Sequence, residues 1–149
     1  MDGPAPVGRI AFLLGFAGLL PQASAVLLMA VHPPGAFGLP LAIAYSYAAL
    51  ILSFLGGIWW GFAVRRSAGQ GTLSALAVLP SLLPLAVVPL ANRSWSWGLI
   101  VLGVAILATL LVDRHLVRTG EAPPNWLRLR APLSLGLGGL TILAGLLSR

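Results

Sequence analysis

Five stretches of about 20 residues, each apolar almost throughout, follow one another along the chain and leave room for little else. A helix of ~20 residues is long enough to cross the ~30 Å hydrocarbon layer of a bilayer. The stretches run approximately over residues 8–31, 37–64, 72–91, 94–112 and 131–148. The sequence therefore predicts an all-α integral membrane bundle of five transmembrane helices, a single domain over residues 1–149 with no soluble lobe. Composition excludes a water-soluble alternative. The chain is 58% hydrophobic and 8% charged, whereas a soluble globule of this size still shows water about 30% of its unfolded surface.

Each junction carries a stop signal: His32-Pro-Pro-Gly35, then Arg65 to Gly71, then the very short Asn92-Arg-Ser94, which suits a tight antiparallel hairpin. The fourth connection, residues 113–130, is the one long enough for structure outside the membrane. Five spans put the termini on opposite sides. One side then holds Arg9, Arg65, Arg66, Arg114, Arg118, Arg128 and Arg130, and the other Arg93 and Arg149. Arginine is retained in short cytoplasmic loops, so the N-terminus and the loop 113–130 are expected inside and the C-terminus outside. Ala23-Ser-Ala25 imitates a signal-peptide cleavage site, but the apolar run continues through Met29 and further spans follow, so an uncleaved first helix is expected.

Lipid is as apolar as leucine, so helices associate through small residues that let backbones approach. Gly8, Ala11, Gly15, Gly18 and Gln22 fall on one face of the first helix, Ala49, Ser53, Gly57 and Gly61 on one face of the second, and Ser134, Gly138, Thr141 and Gly145 on one face of the fifth. These three stripes are the predicted packing seams, within the chain first and between copies as the alternative. The third span instead carries Pro80, Pro84 and Pro89. Each removes a backbone donor and crowds the carbonyl four residues earlier, predicting a bent helix whose freed carbonyls are met by Ser81, a neighbouring helix or water.

The chemistry of the spans is sparse. Gln22, Ser24, Tyr45, Ser46, Tyr47, Ser53, Ser81, Thr109 and Thr141 are polar at depth, and none titrates near neutral pH. Proton relays and ion-coupled carriers place an ionisable side chain on the pathway, which disfavours transport. Cysteine is absent, and His32 and His115 sit at the ends of spans on opposite faces of the membrane, so neither a thiolate site nor a joint histidine site for metal or haem is expected. No catalytic constellation, phosphate loop or nucleic-acid module appears, so the chain reads as non-enzymatic and without cofactor, metal or nucleic-acid partner.

Polar residues gather instead at the arginine-rich surface. Asp113 stands at the end of the fourth span, where a negative charge opposes the helix dipole. It is expected either to pair with an arginine of another segment, Arg65 or Arg130, and pin segments together, or to stay a solvated surface carboxylate. Beyond it, Pro123 and Pro124 give a rigid entry, Asn125 can cap a helical turn, and Trp126 is suited to headgroup level, with Arg128 and Arg130 facing phosphates or Asp113. Trp59 and Trp60 stand just before Arg65 and Arg66. Trp60 suits an interfacial anchor, and Trp59 either fills space or lines a pocket with the proline-bent helix around Pro84.

The segments "GFAGLLPQ" (15–22), "YAALILSFLGGIWWG" (47–61), "LPSLLPLAVVPL" (79–90), "LVDRHL" (111–116) and "PPNWLRLRAPLS" (123–134) resemble, in order, a family of small bacterial inner-membrane proteins of unknown function whose mitochondrial relative is transmembrane protein 69. The resemblance implies a bacterial inner-membrane location and five helices, with no established activity; in that membrane the C-terminus that the arginine count puts outside is periplasmic. Members of that family often have histidine where Trp59 stands and phenylalanine where Gln22 stands. Two expectations for function follow. The first is an accessory or assembly subunit docked to a larger membrane complex or to its own copy. The second is a binder of a flat hydrophobic molecule, such as a quinone, porphyrin or lipid, near Trp59, Trp60 and Pro84.

Overall fold

A computed structural model describes residues 6–33 and 36–149, so Pro34 and Gly35 of the first junction lie outside the described residues. Six helices follow in order: α1 (Arg9–Ala17), α2 (Leu20–Val31), α3 (Gly38–Ala63), α4 (Gln70–Arg93), α5 (Trp95–Arg118) and α6 (Trp126–Leu147). Helices α1 and α2 together form the first span, and the described chain has five spans long and apolar enough to cross a membrane. The break between α1 and α2 comes from Pro21, which cannot donate to the carbonyl of Ala17 and crowds it. The chain turns at Gly18 and Leu19 and restarts with the proline in the first turn of α2. The predicted first helix is therefore two helices.

The core fills three layers along the bundle. Met29, Phe37, Leu41 and Leu99 pack at one end, Leu52, Val87, Leu102, Ile106 and Leu137 in the middle, and Trp59, Leu73, Leu116 and Ala122 at the other. The outer surface is apolar as well, with Ile10, Leu39, Leu85 and Leu111 each 70% exposed or more, as lipid contact requires.

Glycines set the closest seams, though not all of those predicted. Between α5 and α6, a Cβ on Gly138 would lie 2.8 Å from Leu107 Cγ, one on Gly103 would lie 2.8 Å from Gly138 O, and one on Gly145 would lie 2.8 Å from Ser96 O. Gly15 packs α1 on α6, where a Cβ would meet Leu133 at 3.0 Å and Leu129 at 3.1 Å. The stripe predicted on α3 is corrected. Ser53, Gly57 and Gly61 are exposed, and a Cβ on Gly57 or Gly61 would meet nothing within 4 Å. The residue that brings α3 onto α4 is Gly56, whose Cβ would collide with the carbonyl of Ala77. The inward face of α3 is Ala44, Ala48, Leu52, Leu55 and Trp59, and the small-residue stripe lies outside it.

Two boundaries are also corrected. Helix α5 passes through Asp113 to Arg118, because no breaker intervenes before Gly120 (φ 76°) and Leu116 is fully buried. Helix α6 starts at Trp126, since Leu129 and Arg130 are buried in the bundle. The non-helical part of the predicted loop 113–130 shrinks to residues 119–125. Helix α4 runs unbroken through its prolines. Ser81 Oγ donates to Val78 O at 2.8 Å, so it reaches none of the carbonyls that Pro80, Pro84 and Pro89 set free.

Candidate functional site

The polar centre of the molecule forms around Asp113, which is fully buried at the inner face of α5. Three donors from two other helices converge on its carboxylate. Trp59 of α3 donates its indole Nε1–H to Oδ1 at 3.0 Å, and Trp126 of α6 donates to the same oxygen at 3.2 Å. Arg130, one turn further along α6, donates Nε–H to Oδ2 at 2.8 Å. Arg130 Nη2 also donates to Thr109 Oγ1 at 3.3 Å, and the Thr109 hydroxyl in turn donates to Ile106 O at 2.6 Å. Thr109 lies four residues before Asp113, on the same helix face.

Each member is where its sequence puts it. Trp59 falls on the inward stripe of α3 and is 3% exposed. The continuation of α5 past the apolar stretch carries Asp113 to the level of Trp126, whose ring stands edge-on to Phe62 with centroids 6.0 Å apart. A buried ion pair is tolerated only when both charges and their remaining hydrogen-bonding groups are met. Here both carboxylate oxygens are occupied and the guanidinium is balanced, so the centre is electrically closed. It holds α3, α5 and α6 together. Among the described residues, no three His, Cys, Asp or Glu side chains lie together.

A second brace lies outside the spans. Arg66 makes two bonds to Glu121, Nε to Oε2 and Nη2 to Oε1, both at 2.5 Å. The Arg66 hydrogen bond is the main cause holding the Glu121 carboxyl below its usual value, against a smaller opposing effect of burial, and Thr119 helps with a bond of 2.7 Å to Oε1. Asn125 does not cap α6 with its side chain. Instead its amide clasps the backbone of Val7, accepting from N at 2.8 Å and donating to O at 3.1 Å. All these contacts lie at the arginine-rich end, while Arg149 meets Ser96 and Trp97 at the opposite end.

The remaining predicted residues are dispersed. Trp60 is 47% exposed, whereas its neighbour Trp59 is buried. Pro84 accepts a hydrogen bond from Tyr45 Oη at 2.6 Å through its carbonyl, and the Gly18 carbonyl accepts from Tyr47 Oη. Gln22 is fully buried and donates Nε2 to Thr141 Oγ1 at 3.0 Å. The pairing of Asp113 with Arg130 is as expected, and Arg65 takes no part. Sequence reasoning missed Thr109 as a member, the Arg66–Glu121 brace, and Gly56 and Gly103 as contact glycines. Only the brace had a signal: with three carboxylates against nine arginines, each carboxylate has an arginine to find.

Two grooves flank α3. One, about 480 Å³, lies between α3, α4 and α5 and is lined by Trp59, Pro80 and Thr109 among apolar neighbours. The other, about 500 Å³, lies between α1, α3 and α6 and reaches Trp126, Arg130 and Ser134.

Comparison with known proteins agrees with this architecture. The family described as protein of unknown function (DUF3429) matches residues 7–147, which include all six helices. The chain belongs to the DUF3429 family. It is also similar to transmembrane protein 69 of Xenopus tropicalis, with 48% identity over 67 residues, covering 44% of this chain and 24% of that protein. The match thus spans about a quarter of the relative's length. No solved structure matches. This DUF3429 member is a multi-pass helical membrane protein.

Proposed function

We propose that this DUF3429 protein is a non-catalytic accessory or assembly subunit of a larger complex in the bacterial inner membrane. In this reading the Asp113 centre keeps the bundle rigid, and the outward face of α3 receives a transmembrane helix of the partner. The observation that carries it is the open space in front of Gly57 and Gly61. A glycine inside a helix is less favourable than alanine by about 0.5–1 kcal/mol, and the fold itself has no use for these two. The small stripe Ala49, Ser53, Gly57 and Gly61 would let a second backbone approach closely. The electrically closed Asp113 centre supports the non-catalytic part of the reading.

The flat-ligand reading around Trp59, Trp60 and Pro84 has less support. Trp60 faces outward, the Trp59 N–H is committed to Asp113, and the Thr109 hydroxyl at that groove is engaged. The experiment compares wild type with Gly57→Ile/Gly61→Ile after mild extraction into nanodiscs. The expected result is a larger wild-type particle with a defined partner, and a variant that loses the partner but keeps its thermal stability. A wild-type protein that is monomeric throughout, or a variant that keeps the partner, contradicts the reading. A particle containing only this chain replaces it with self-association.

A further inference from the structure

Ser134 is 1% exposed on α6, and its Oγ has no hydrogen-bond partner. The other buried hydroxyls of α5 and α6 are engaged: Thr109 donates to Ile106 O, Thr141 donates to Leu137 O at 2.7 Å, and Ser96 accepts from Arg149. Leaving a buried hydroxyl unpaired is unfavourable, so Ser134 carries a hydrogen bond still to be made. Ser134 borders the groove of about 500 Å³ between α1, α3 and α6, one helical turn beyond Arg130, which borders it too. The remaining walls are apolar, including Leu14 of α1, and Phe54 and Ile58 of α3. The other unpartnered buried polar atom, Gln22 Oε1, borders neither groove.

The wall formed by α1 is held at both ends. Asn125 grips Val7 before the helix, and Tyr47 binds the carbonyl of Gly18 after it. Between these points Ile10, Leu13 and Leu14 are 68–74% exposed, and Gly15 is the contact glycine against α6. The groove is thus a slot closed by a tethered helix, with a polar group at its inner end.

We infer that this slot binds an uncharged, carbonyl-bearing isoprenoid lipid of the quinone type, with Ser134 donating to the carbonyl and the tail along the apolar wall. The charge balance excludes an anionic head. Among the described residues the one cation lining the slot, Arg130, is already neutralised by Asp113 at 2.8 Å, and a second anion would sit beside that carboxylate without a counter-charge. Depth favours a quinone over a glycerolipid ester. Ser134 is six residues beyond Arg128, the exposed charge in the first turn of α6, about 9 Å along the helix, and an arginine at the end of a span sits at headgroup level. A glycerolipid ester stays near the headgroups, whereas a quinone ring travels within the hydrocarbon. The site goes beyond the subunit reading, because it uses a different face of α3 and holds its ligand without a redox step.

The test is titration of the purified protein in detergent with decylubiquinone, read by quenching of tryptophan emission. The expected result is a saturable phase above linear partitioning. Ser134→Ala, which removes only an unpaired hydroxyl, weakens that phase about 5- to 10-fold. Ile58→Trp, which fills the slot, abolishes it. Leu79→Trp, which fills the groove on the far side of α3, leaves it unchanged, as does Gly57→Ile, so a failure of this inference is separate from a failure of the subunit reading. Quenching that never saturates, equal affinity for wild type and Ser134→Ala, loss of binding in Leu79→Trp but not in Ile58→Trp, or oleate anion competing as well as the quinone would each overturn it.

Discussion

Neutralising Asp113 leaves the Arg130 guanidinium, 6% exposed, without its counter-charge. Asp113→Asn keeps an oxygen for the two indoles but replaces the 2.8 Å ion pair with Arg130 by an NH2 group facing the Nε–H, donor against donor. Breaking one side of a buried ion pair costs about 3–5 kcal/mol, a large part of the 5–15 kcal/mol that holds a typical domain together. Arg130→Gln has the converse defect, a buried carboxylate with two indole donors and no cation. The double variant Asp113→Asn/Arg130→Gln carries neither charge and retains hydrogen-bonding partners. It is therefore expected to be more stable than the sum of the single losses implies, with a coupling of about 2–3 kcal/mol. Unfolding by SDS in mixed micelles, followed through tryptophan emission, gives the three free energies. If each single change costs under about 0.5 kcal/mol, or the losses add within about 0.5 kcal/mol, the reasoning fails, and Asp113 is an exposed or independently solvated group.

Other consequences separate the parts of the account. Gly103→Ala puts a Cβ 2.6 Å from Ile142 Cγ1 and 2.8 Å from Gly138 O, so it is expected to destabilise by about 1–3 kcal/mol. Gly57→Ala, with open space in front, is expected to leave the isolated bundle unchanged or up to about 1 kcal/mol more stable by thermal denaturation. Glu121 has a folded pKa below its unfolded value. Its contribution is thus complete above the unfolded pKa of about 4.3 and is lost as pH falls through the lower folded value. Segment 119–125 is expected to become protease-sensitive in that acid range, and Glu121→Gln to show the same sensitivity at neutral pH at a cost under about 1 kcal/mol. Cysteines introduced singly at Ser67 and Asn92 of this cysteine-free chain are expected to react with an impermeant maleimide in intact cells at Asn92 and not at Ser67. The reverse pattern contradicts the assigned orientation.

The spans were legible because hydrophobic length alone sets them, and the five stretches correspond to the five spans. The boundaries were less so. Hydropathy falls at Asp113 and Arg114, but a helix ends where its backbone is released, at Gly120 rather than where charge begins. The stripe on α3 misled for a related reason. Small residues mark a face that can approach another helix, and they do not say whether the other helix belongs to the same chain. Gly56 and Gly57 are adjacent, and only the packing against Ala77 shows which of them faces inward. Within the site, Asp113, Arg130, Trp59 and Trp126 each stand out in the sequence, but the expected surface position of Asp113, Arg130 and Trp126 is corrected: Asp113 and Arg130 are buried and the Trp126 indole turns inward to Asp113. Their convergence on one carboxylate depends on the relative rotation of α3, α5 and α6, which packing decides and no local pattern records. Ser134 was legible as a small seam residue, but its unpartnered hydroxyl was not.

Two indoles and a guanidinium share one buried carboxylate. Nitrogen-15 NMR of the tryptophan side chains in nanodiscs tests this arrangement most directly, since the chain has five tryptophans and therefore five indole signals. The signals of Trp59 and Trp126 are expected to resist exchange with deuterium and to shift together in Asp113→Asn, while that of exposed Trp60 stays in place. Fast exchange at both Trp59 and Trp126, or no response of either to Asp113→Asn, would contradict the account.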